Sequence, residues 1–307
     1  MRAFVLGAGL GTRLRPLTNV RPKPLIPVCN RPLITYAFDH LAGVGVDRFI
    51  VNTHWLSEVY EEEFPGRQYA GSPIVFRHEP EILETAGGIK NVEDLLEGQS
   101  FVVYNGDILT DLPLAEALRR HRESGHEVTL VLRSKDGPLQ VSLDRESGLI
   151  RDIGNRLGSN DSTQFLFTGV YFVEPEFLRR IPPATKISVI PIFLEMIRAG
   201  VRLGGVVVDD GHWWDLGSRE QYLRVHQHFA LHGATQSPWV DRGALVAADA
   251  CLSGATAVGR GASVGAKAQL RDCIIWPGAH IGAEAHLTDC IVTGLRPIEG
   301  AHTNSDL

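Results

Sequence analysis

The chain has little of what marks several large protein classes. It carries four cysteines in 307 residues, Cys29, Cys251, Cys273 and Cys290. No two are spaced as a zinc-binding or redox pair, so a reduced, cytoplasmic protein is expected. Positive charge is not in excess: 30 lysines and arginines stand against 36 aspartates and glutamates, a formal net charge of -6. Nucleic acid is therefore not an expected partner, and any basic site has to be local. No apolar run approaches the ~18 residues needed to cross a bilayer, so no membrane is expected either. The first apolar strand pattern begins at Ala3, so no secretory leader is expected. What remains is an ordinary globular composition, 44% hydrophobic and 21% charged, with length for one large domain or two smaller ones.

Over the first part of the chain, strand-like and helix-like stretches alternate. The pattern predicts strands at 3–6, 48–53, 74–77, 101–104, 127–132, 170–173 and 202–208. It predicts helices at 33–42, 55–63, 88–97, 114–124, 188–199 and 218–232. Several strands are continuous apolar runs, as expected when helices cover both faces of a sheet. The alternation reads as α/β with a mainly parallel sheet, and such sheets bind ligands beyond the carboxyl ends of their strands.

The pattern then changes. Val240, Val246, Leu252, Val258, Val264 and Leu270 recur every six residues. The count slips by one, Ile275, Ile281 and Leu287 continue it, and after a second slip come Val292 and Ile298. Neither the helical nor the strand period generates this spacing. A hexapeptide repeat does: each hexad forms one short strand and corner of a parallel β-helix, and three hexads make one triangular coil. About eleven hexads give between three and four coils, and the expected division is one domain over 1–235 and a β-helix over 236–307. Such a coil stack caps itself poorly, so packing against the first domain or assembly into a homo-oligomer is expected.

The first strand runs into GAGLGTRLRPLT. The dinucleotide fingerprint G-x-G-x-x-G would need glycine where Thr12 stands, and a helix opening at the turn. Pro16, Pro22, Pro24, Pro27 and Pro32 forbid a helix across 15–31. The phosphate loop G-x-x-x-x-G-K-[ST] is absent as well. Instead, a glycine-rich turn at the end of a strand is followed by Arg13, Arg15, Arg21 and Lys23. Backbone N–H groups and fixed cations together suit a polyphosphate.

LGAGLGTRLRPLT, followed by RPKPLIPVCNRPLI, resembles the signature of the sugar-1-phosphate nucleotidyltransferases. The resemblance continues through ETAGGI at 84–89, NGD at 105–107, FTGVYF at 167–172 and WWDLGS at 213–218, and into the hexapeptide tail. It implies a Rossmann-like nucleotidyltransferase domain followed by a short left-handed parallel β-helix. It implies a reaction of a nucleoside triphosphate with a sugar 1-phosphate that yields a nucleotide sugar and pyrophosphate, with Mg²⁺ as cofactor. In that reaction one phosphate attacks the α-phosphorus of another, so the catalyst must offset repulsion between anions and stabilise the departing pyrophosphate.

By this resemblance Arg13 holds the triphosphate and pyrophosphate, and Lys23 reaches the phosphates near the reacting centre. Arg15 and Arg21 either assist or brace the loop. Asp107, after the apolar run FVVY, and Asp215, in HWWDLGS, match the family's metal-binding aspartates. Mg²⁺ takes carboxylate ligands and keeps positions open for phosphate oxygens. Leu6, Ala8, Gly9, Gly11 and Thr12 complete the expected nucleotide contacts around the first loop.

The base is expected near the segment from Glu79 to Gly87, with Thr85, Ala86 and Gly87 in contact. Glu79 stands where some relatives have glutamine. A carboxylate only accepts hydrogen bonds, which suits guanine, or the N3–H of uracil and thymine, so GTP or UTP/dTTP is implied. Gly87 and Gly88 read either as close approach to a ligand or as an ordinary helix start. On the sugar side the expected contacts are Asn105, Gly106, Gln140, Asn155, Thr168 and Gly169. Many relatives carry Glu-Lys-Pro there, whereas LIRDIGNRLGSND at 149–161 has no lysine; Asn155 or Arg156 substitutes for it, or Arg156 is a plain loop residue.

PVCNRPLI and the tail are closer to the mannose-1-phosphate guanylyltransferases, which is the leading reading. ETAGGI and the missing Glu-Lys-Pro are closer to the N-acetylmuramate 1-phosphate uridylyltransferases. They keep open a UTP- or dTTP-dependent enzyme acting on an N-acetylamino sugar 1-phosphate or glucose 1-phosphate. A non-catalytic sugar-nucleotide sensor on this fold would often lose Arg13, Lys23 or one of the two aspartates, and all are present. An acyl-transferring site in the tail would need a base such as His280 or His286. Six residues apart, these fall on adjacent faces of a coil, so a structural or assembly role is expected for the tail.

Overall fold

A computed structural model of the protein describes residues 1–233 and 236–307. The expected domain boundary at 235 abuts residues 234 and 235, which lie outside the described residues. The chain gathers into two compact units. The first comprises Met1–Leu10, Pro22–Pro24 and Ile34–Asp215, and the second Gly11–Arg21, Leu25–Leu33 and Leu216–Leu307.

The first unit is built on one sheet. The strands of this unit are β1 (Arg2–Leu6), β2 (Arg48–Thr53), β3 (Ser72–His78), β4 (Phe101–Asn105), β5 (Ile108–Thr110), β6 (Val128–Arg133), β7 (Val141–Leu143), β8 (Ile150–Ile153), β9 (Gln164–Val173), β10 (Leu203–Val207) and β11 (Trp213–Asp215); β5 and β11 pair with each other apart from that sheet. β3, β2, β1 and β4 lie side by side and run parallel. β9 is antiparallel to β4, β6 and β7, and β10 is parallel to β6. The apolar runs explain the layering: Ala3, Phe4 and Val5 of β1, Phe49, Ile50 and Val51 of β2, and Val102, Val103 and Tyr104 of β4 are all fully buried, as strands with both faces covered must be. The helices are α1 (Leu33–Ala42), α2 (Ser57–Glu63), α3 (Glu84–Asn91), α4 (Leu114–Ser124) and α5 (Val189–Arg198). Among the described residues no helix is long and apolar enough to cross a membrane.

The sequence pattern and the structure part company at several places. The helix expected at 88–97 starts at Glu84 and breaks after Asn91. Gly87 and Gly88 do not delay it, because small residues are needed inside it. A Cβ on Gly87 would lie 2.3 Å from the Thr185 carbonyl oxygen, and one on Gly88 3.0 Å from Asn52 Nδ2. Packing thus overrides the weak helix propensity of glycine. The short strands β5, β7, β8 and β11 have no counterpart among the expected strands either. The proline-rich stretch forms no α-helix across 15–31, as its prolines require, but 3₁₀ turns at Thr12–Leu14, Leu17–Asn19 and Lys23–Leu25 and a short hairpin after them.

The second unit is a parallel β-helix with α6 (Arg219–His232) and a small hairpin, Pro27–Val28 with Arg31–Pro32. Three parallel sheets run along it. The first joins Trp239–Val240, Ala257–Val258, Ile274–Ile275 and Ile291–Val292. The second joins Leu245–Val246, Ser263–Val264 and His280–Ile281. The third joins Cys251–Ser253, Gln269–Arg271, His286–Thr288 and Ala301–Thr303. From Val258 to Val292 the residues of the six-step count are buried, at most 3% exposed.

The two slips in the count are shortened corners. Trp239 pairs with Ala257, 18 residues on, but Ala257 pairs with Ile274, and Ile274 with Ile291, each 17 on. Gly254, Ala255 and Thr256 fill the first corner, whereas Asp272 and Cys273 fill the second and Asp289 and Cys290 the third. Asp272 and Asp289 adopt left-handed backbone, φ 53 and 52. Cys273 and Cys290 are fully buried, and burial pushes the Cys273 thiol up to about 12. All four cysteines are free thiols. On the outer side of the first sheet, Trp239 packs with Cys29, Phe229 and Ala230, and Asn30 Nδ2 donates to the carbonyls of Trp239 and Val258, both at 2.9 Å.

Candidate active site

The carboxyl ends of β1, β2, β3 and β4 gather the polar residues that close their apolar runs. Leu6 is in register with Asn52 on one side and Asn105 on the other. The Gly7 N–H donates to Asn52 Oδ1 at 2.8 Å, the Tyr60 hydroxyl donates to the Gly7 carbonyl at 2.9 Å, and the Gly106 N–H donates to the Leu6 carbonyl at 3.0 Å. A Cβ on Gly7 would sit 2.7 Å from the Asn52 carbonyl oxygen, and one on Gly106 2.6 Å from that of Leu6. Close strand packing therefore demands these two glycines. Gly7→Ala is expected to lower stability by about 2 kcal/mol through overpacking, read as a lower denaturant midpoint at unchanged slope. Ala8 is buried, while Gly9 and Leu10 reach the surface, and a Cβ on Gly9 would meet nothing within 4 Å. Burial, with the Asp107 carboxylate adding to it, pushes the Tyr60 hydroxyl well above the ordinary phenol range.

Just beyond β4 stands an acidic pair bridged by a lysine. Lys23 is 5% exposed, and its Nζ donates to Asp107 Oδ2 at 2.9 Å and to Asp215 Oδ1 at 3.1 Å. A backbone ladder brings the carboxylates together: β11 pairs antiparallel with β5, with Asp215 opposite Ile108 and Trp213 opposite Thr110. The ladder is tied at its far end. Thr110 Oγ1 donates to the His212 carbonyl at 2.6 Å, and Trp213 Nε1 to that of Thr168 at 2.9 Å. The fully buried Arg133 donates to the carbonyls of Val208, Asp210 and Gly211 at 3.3, 3.0 and 3.2 Å. Burial opposes the charge of nearby Asp111, but hydrogen bonds from the His212 backbone and ring outweigh it and hold that carboxyl below the usual range. Two carboxylates within hydrogen-bond reach of one ammonium form a cation-holding arrangement of hard oxygen donors. The same pair fits a divalent cation such as Mg²⁺, which needs few protein ligands. Among the described residues no cluster of three or more histidine, cysteine or acidic side chains could hold a metal by itself.

The remaining expected positions divide. Glu79 is fully buried: its Oε1 accepts from Asn52 Nδ2 at 2.8 Å and its Oε2 from the Leu83 N–H at 3.0 Å. Both of its carboxylate oxygens are thus engaged within the protein. A buried carboxylate must have donors, and here the protein supplies them, so Glu79 braces β2 against the turn before α3. Thr85 Oγ1 accepts from the Val189 N–H at 2.7 Å, and the Ala86 and Gly87 N–H groups donate to the Ile187 carbonyl at 3.0 and 3.1 Å. Gly87 and Gly88 lie inside α3, as the fourth and fifth residues of a helix that starts at Glu84. The Thr168 hydroxyl turns into the sheet and donates to the Val131 carbonyl at 2.8 Å. Gly169, at φ 84, leaves room for Asn105, whose Nδ2 would lie 2.5 Å from a Cβ there. Asn155 pairs with Asn160 on an exposed loop. Gln140 and Arg156, with Gly154, Phe167 and Ile190, line a cavity of about 230 Å³.

In the second unit, Gly11 takes left-handed backbone at φ 60, Thr12 and Arg13 are exposed, and Leu14 is buried. The Thr18 hydroxyl donates to the Gly11 carbonyl at 2.9 Å, and Arg21 Nη1 to that of Leu25 at 3.2 Å, so Arg21 does brace its loop. Asn52, Tyr60 and Arg133 were not anticipated. Asn52 left a readable trace, a polar residue at the buried end of an apolar strand.

The nucleotidyl transferase family profile matches residues 2–231. The chain belongs to the nucleotidyl transferase family. It is 32% identical over 287 residues to the mannose-1-phosphate guanylyltransferase of Mycobacterium tuberculosis, covering 89% of this chain and 79% of that protein. It is 32% identical over 235 residues to the N-acetylmuramate alpha-1-phosphate uridylyltransferase of Neisseria meningitidis, covering 76% of this chain and 99% of that protein. Among solved structures, HddC from Yersinia pseudotuberculosis shares the fold, with a TM-score of 0.62 at 22% identity over 74% of this chain and 99% of that one. This nucleotidyl transferase is an enzyme that transfers the nucleotidyl group of a nucleoside triphosphate to a sugar 1-phosphate, releasing pyrophosphate.

Proposed function

We propose that this nucleotidyl transferase is a mannose-1-phosphate guanylyltransferase, converting GTP and mannose 1-phosphate to GDP-mannose and pyrophosphate. The extent of the likeness supports this reading. The match to the guanylyltransferase covers 89% of the chain, more than a catalytic domain over 1–235 can supply, so it reaches into a β-helix over 236–307. In this reading an oxygen of the sugar phosphate attacks the α-phosphorus, and the bond to the β-phosphate breaks in line. Arg13 grips the triphosphate and takes up charge on the departing pyrophosphate, and Lys23 neutralises the phosphates at the reacting centre. Asp107 and Asp215 would hold Mg²⁺, which supplies further neutralisation of phosphate oxygens. The backbone at Ala8 and Gly9 meets the base, and the cavity of Gln140 and Arg156 serves the sugar side. A cytoplasmic homo-oligomer belongs to the same proposal.

A second reading, a UTP- or dTTP-dependent enzyme acting on an N-acetylamino sugar or glucose 1-phosphate, draws on the equal identity to the uridylyltransferase and on the absence of lysine from 149–161. Pyrophosphate release decides between them. GTP, UTP, dTTP and ATP are each offered with the 1-phosphates of mannose, glucose, N-acetylglucosamine and N-acetylmuramate. GTP with mannose 1-phosphate is expected to lead by about 10-fold or more in kcat/KM. A lead for a UTP or dTTP pair replaces the first reading with the second.

A further inference from the structure

We infer that the last turns of the β-helix hold Arg13 in place through Arg219, so that the C-terminal tail is a positioning device for the first loop. The inference rests on the reading of Arg13 as a triphosphate ligand. Arg219, the first residue of α6, has its side chain spent on distant parts of the same unit. Its Nε donates to Asp306 Oδ1 at 2.6 Å and its Nη1 to Asn304 Oδ1 at 2.6 Å, while Nη2 donates to the carbonyls of Asp289 and, at 3.5 Å, Ser305. A planar guanidinium satisfied along its whole edge fixes orientation as well as distance. The start of α6 is thereby pinned to the coil corner at Asp289 and to the end of the chain.

The pinned helix start is also the floor under Arg13. Ser218 caps α6 by accepting from the Gln221 N–H at 3.3 Å, and Gln221 returns its Oε1 to the Gly217 N–H at 3.1 Å. This reciprocal cap locks the Gly217 peptide to the first turn. The Arg13 guanidinium lies directly on Gly217: a Cβ there would fall 2.6 Å from Nη1, 2.8 Å from Cζ and 3.0 Å from Nη2. With no slack between floor and guanidinium, a small shift of the helix start moves the arginine. Arg219 touches no substrate in this account; it acts through Gly217.

The experiment is a double-mutant cycle on the full chain, varying the triphosphate in a pyrophosphate-release assay and recording a thermal melt of each variant. Arg13→Ala is expected to lower kcat/KM by about 100-fold, and Arg219→Ala by about 10-fold. In the Arg13→Ala background, Arg219→Ala should cost less than about twofold, because residues that act through one another are not additive. Full activity of Arg13→Ala overturns the reading of Arg13 itself. A damaging Arg13→Ala, combined with an Arg219→Ala effect that is absent or equal in both backgrounds, leaves that reading intact and overturns the positioning role. If Arg219→Ala does not fold, Asn304→Ala and Asp306→Ala on the tail run the same cycle. Asp306→Asn, which keeps an acceptor for Nε, is expected to restore most of the loss seen in Asp306→Ala.

Discussion

Asp107→Asn is expected to lower turnover by about 1,000-fold or more, equivalent to about 4 kcal/mol of barrier, while leaving the fold intact. The position separates chemistry from stability. The Asp107 side chain is 40% exposed, and the backbone that places it is held independently, by the Gly106 N–H on the Leu6 carbonyl and by the β5–β11 ladder. The substitution is nearly isosteric, and Lys23 keeps Asp215 as a partner at 3.1 Å. A half-exposed ion pair contributes little to stability, so the melting temperature should move by no more than a few degrees. The electrostatic loss falls on the step where phosphate charge must be offset. Turnover near that of the parent enzyme at millimolar Mg²⁺, from a folded variant, removes Asp107 from the cation-holding role.

Acid should weaken the second unit through His226 by about 3 kcal/mol in all. This histidine is 1% exposed and belongs to α6. Its Nε2 faces the Cys29 N–H at 3.1 Å and so must accept, which places the proton on Nδ1, where it is donated to the Tyr222 carbonyl at 2.9 Å. Only the neutral ring satisfies both partners, and burial lowers its pKa from 6.5 to about 4. Between those values the unfolded chain binds the extra proton and the folded one does not. Stability is therefore full above pH 6.5 and drains as the pH falls toward 4. Denaturant midpoints between pH 7.5 and 5 should show a loss of about 2 kcal/mol that is missing from His226→Gln, which cannot titrate. The same slope in parent and variant places the effect on other groups.

What the sequence made legible, and what it did not, follows from the range of the interactions involved. The six-residue count was readable because each hexad repeats the same local requirement, one branched residue inside and small residues at the corner. Its two slips mapped onto real corners at Asp272–Cys273 and Asp289–Cys290. The prolines after Thr12 likewise fixed their own backbone. The protein partners of Glu79 were not legible because they are the Asn52 side chain on β2 and the Leu83 N–H, and nothing near Glu79 announces a donor. The start of α3 was placed four residues late because what requires small residues inside it is distant in sequence: the Thr185 carbonyl at Gly87 and the Asn52 side chain at Gly88. The β5–β11 ladder was invisible because three residues are too few to show a period, yet it is what unites Asp107 with Asp215.

The unequal corners carry a lesson about length. A deletion inside a strand would turn every following side chain to the wrong face. A deletion at a corner of this coil is absorbed on the spot: the left-handed Asp272 or Asp289 completes the turn with one residue fewer, and the next strand resumes with its branched residue inside. The prism therefore tolerates counting errors only at its vertices. Gene-level insertions and losses in this tail should survive at those vertices and nowhere along the flat faces. The coil can lengthen, shorten or drift in sequence there while its inner column of Val258, Ile275 and Val292 stays aligned.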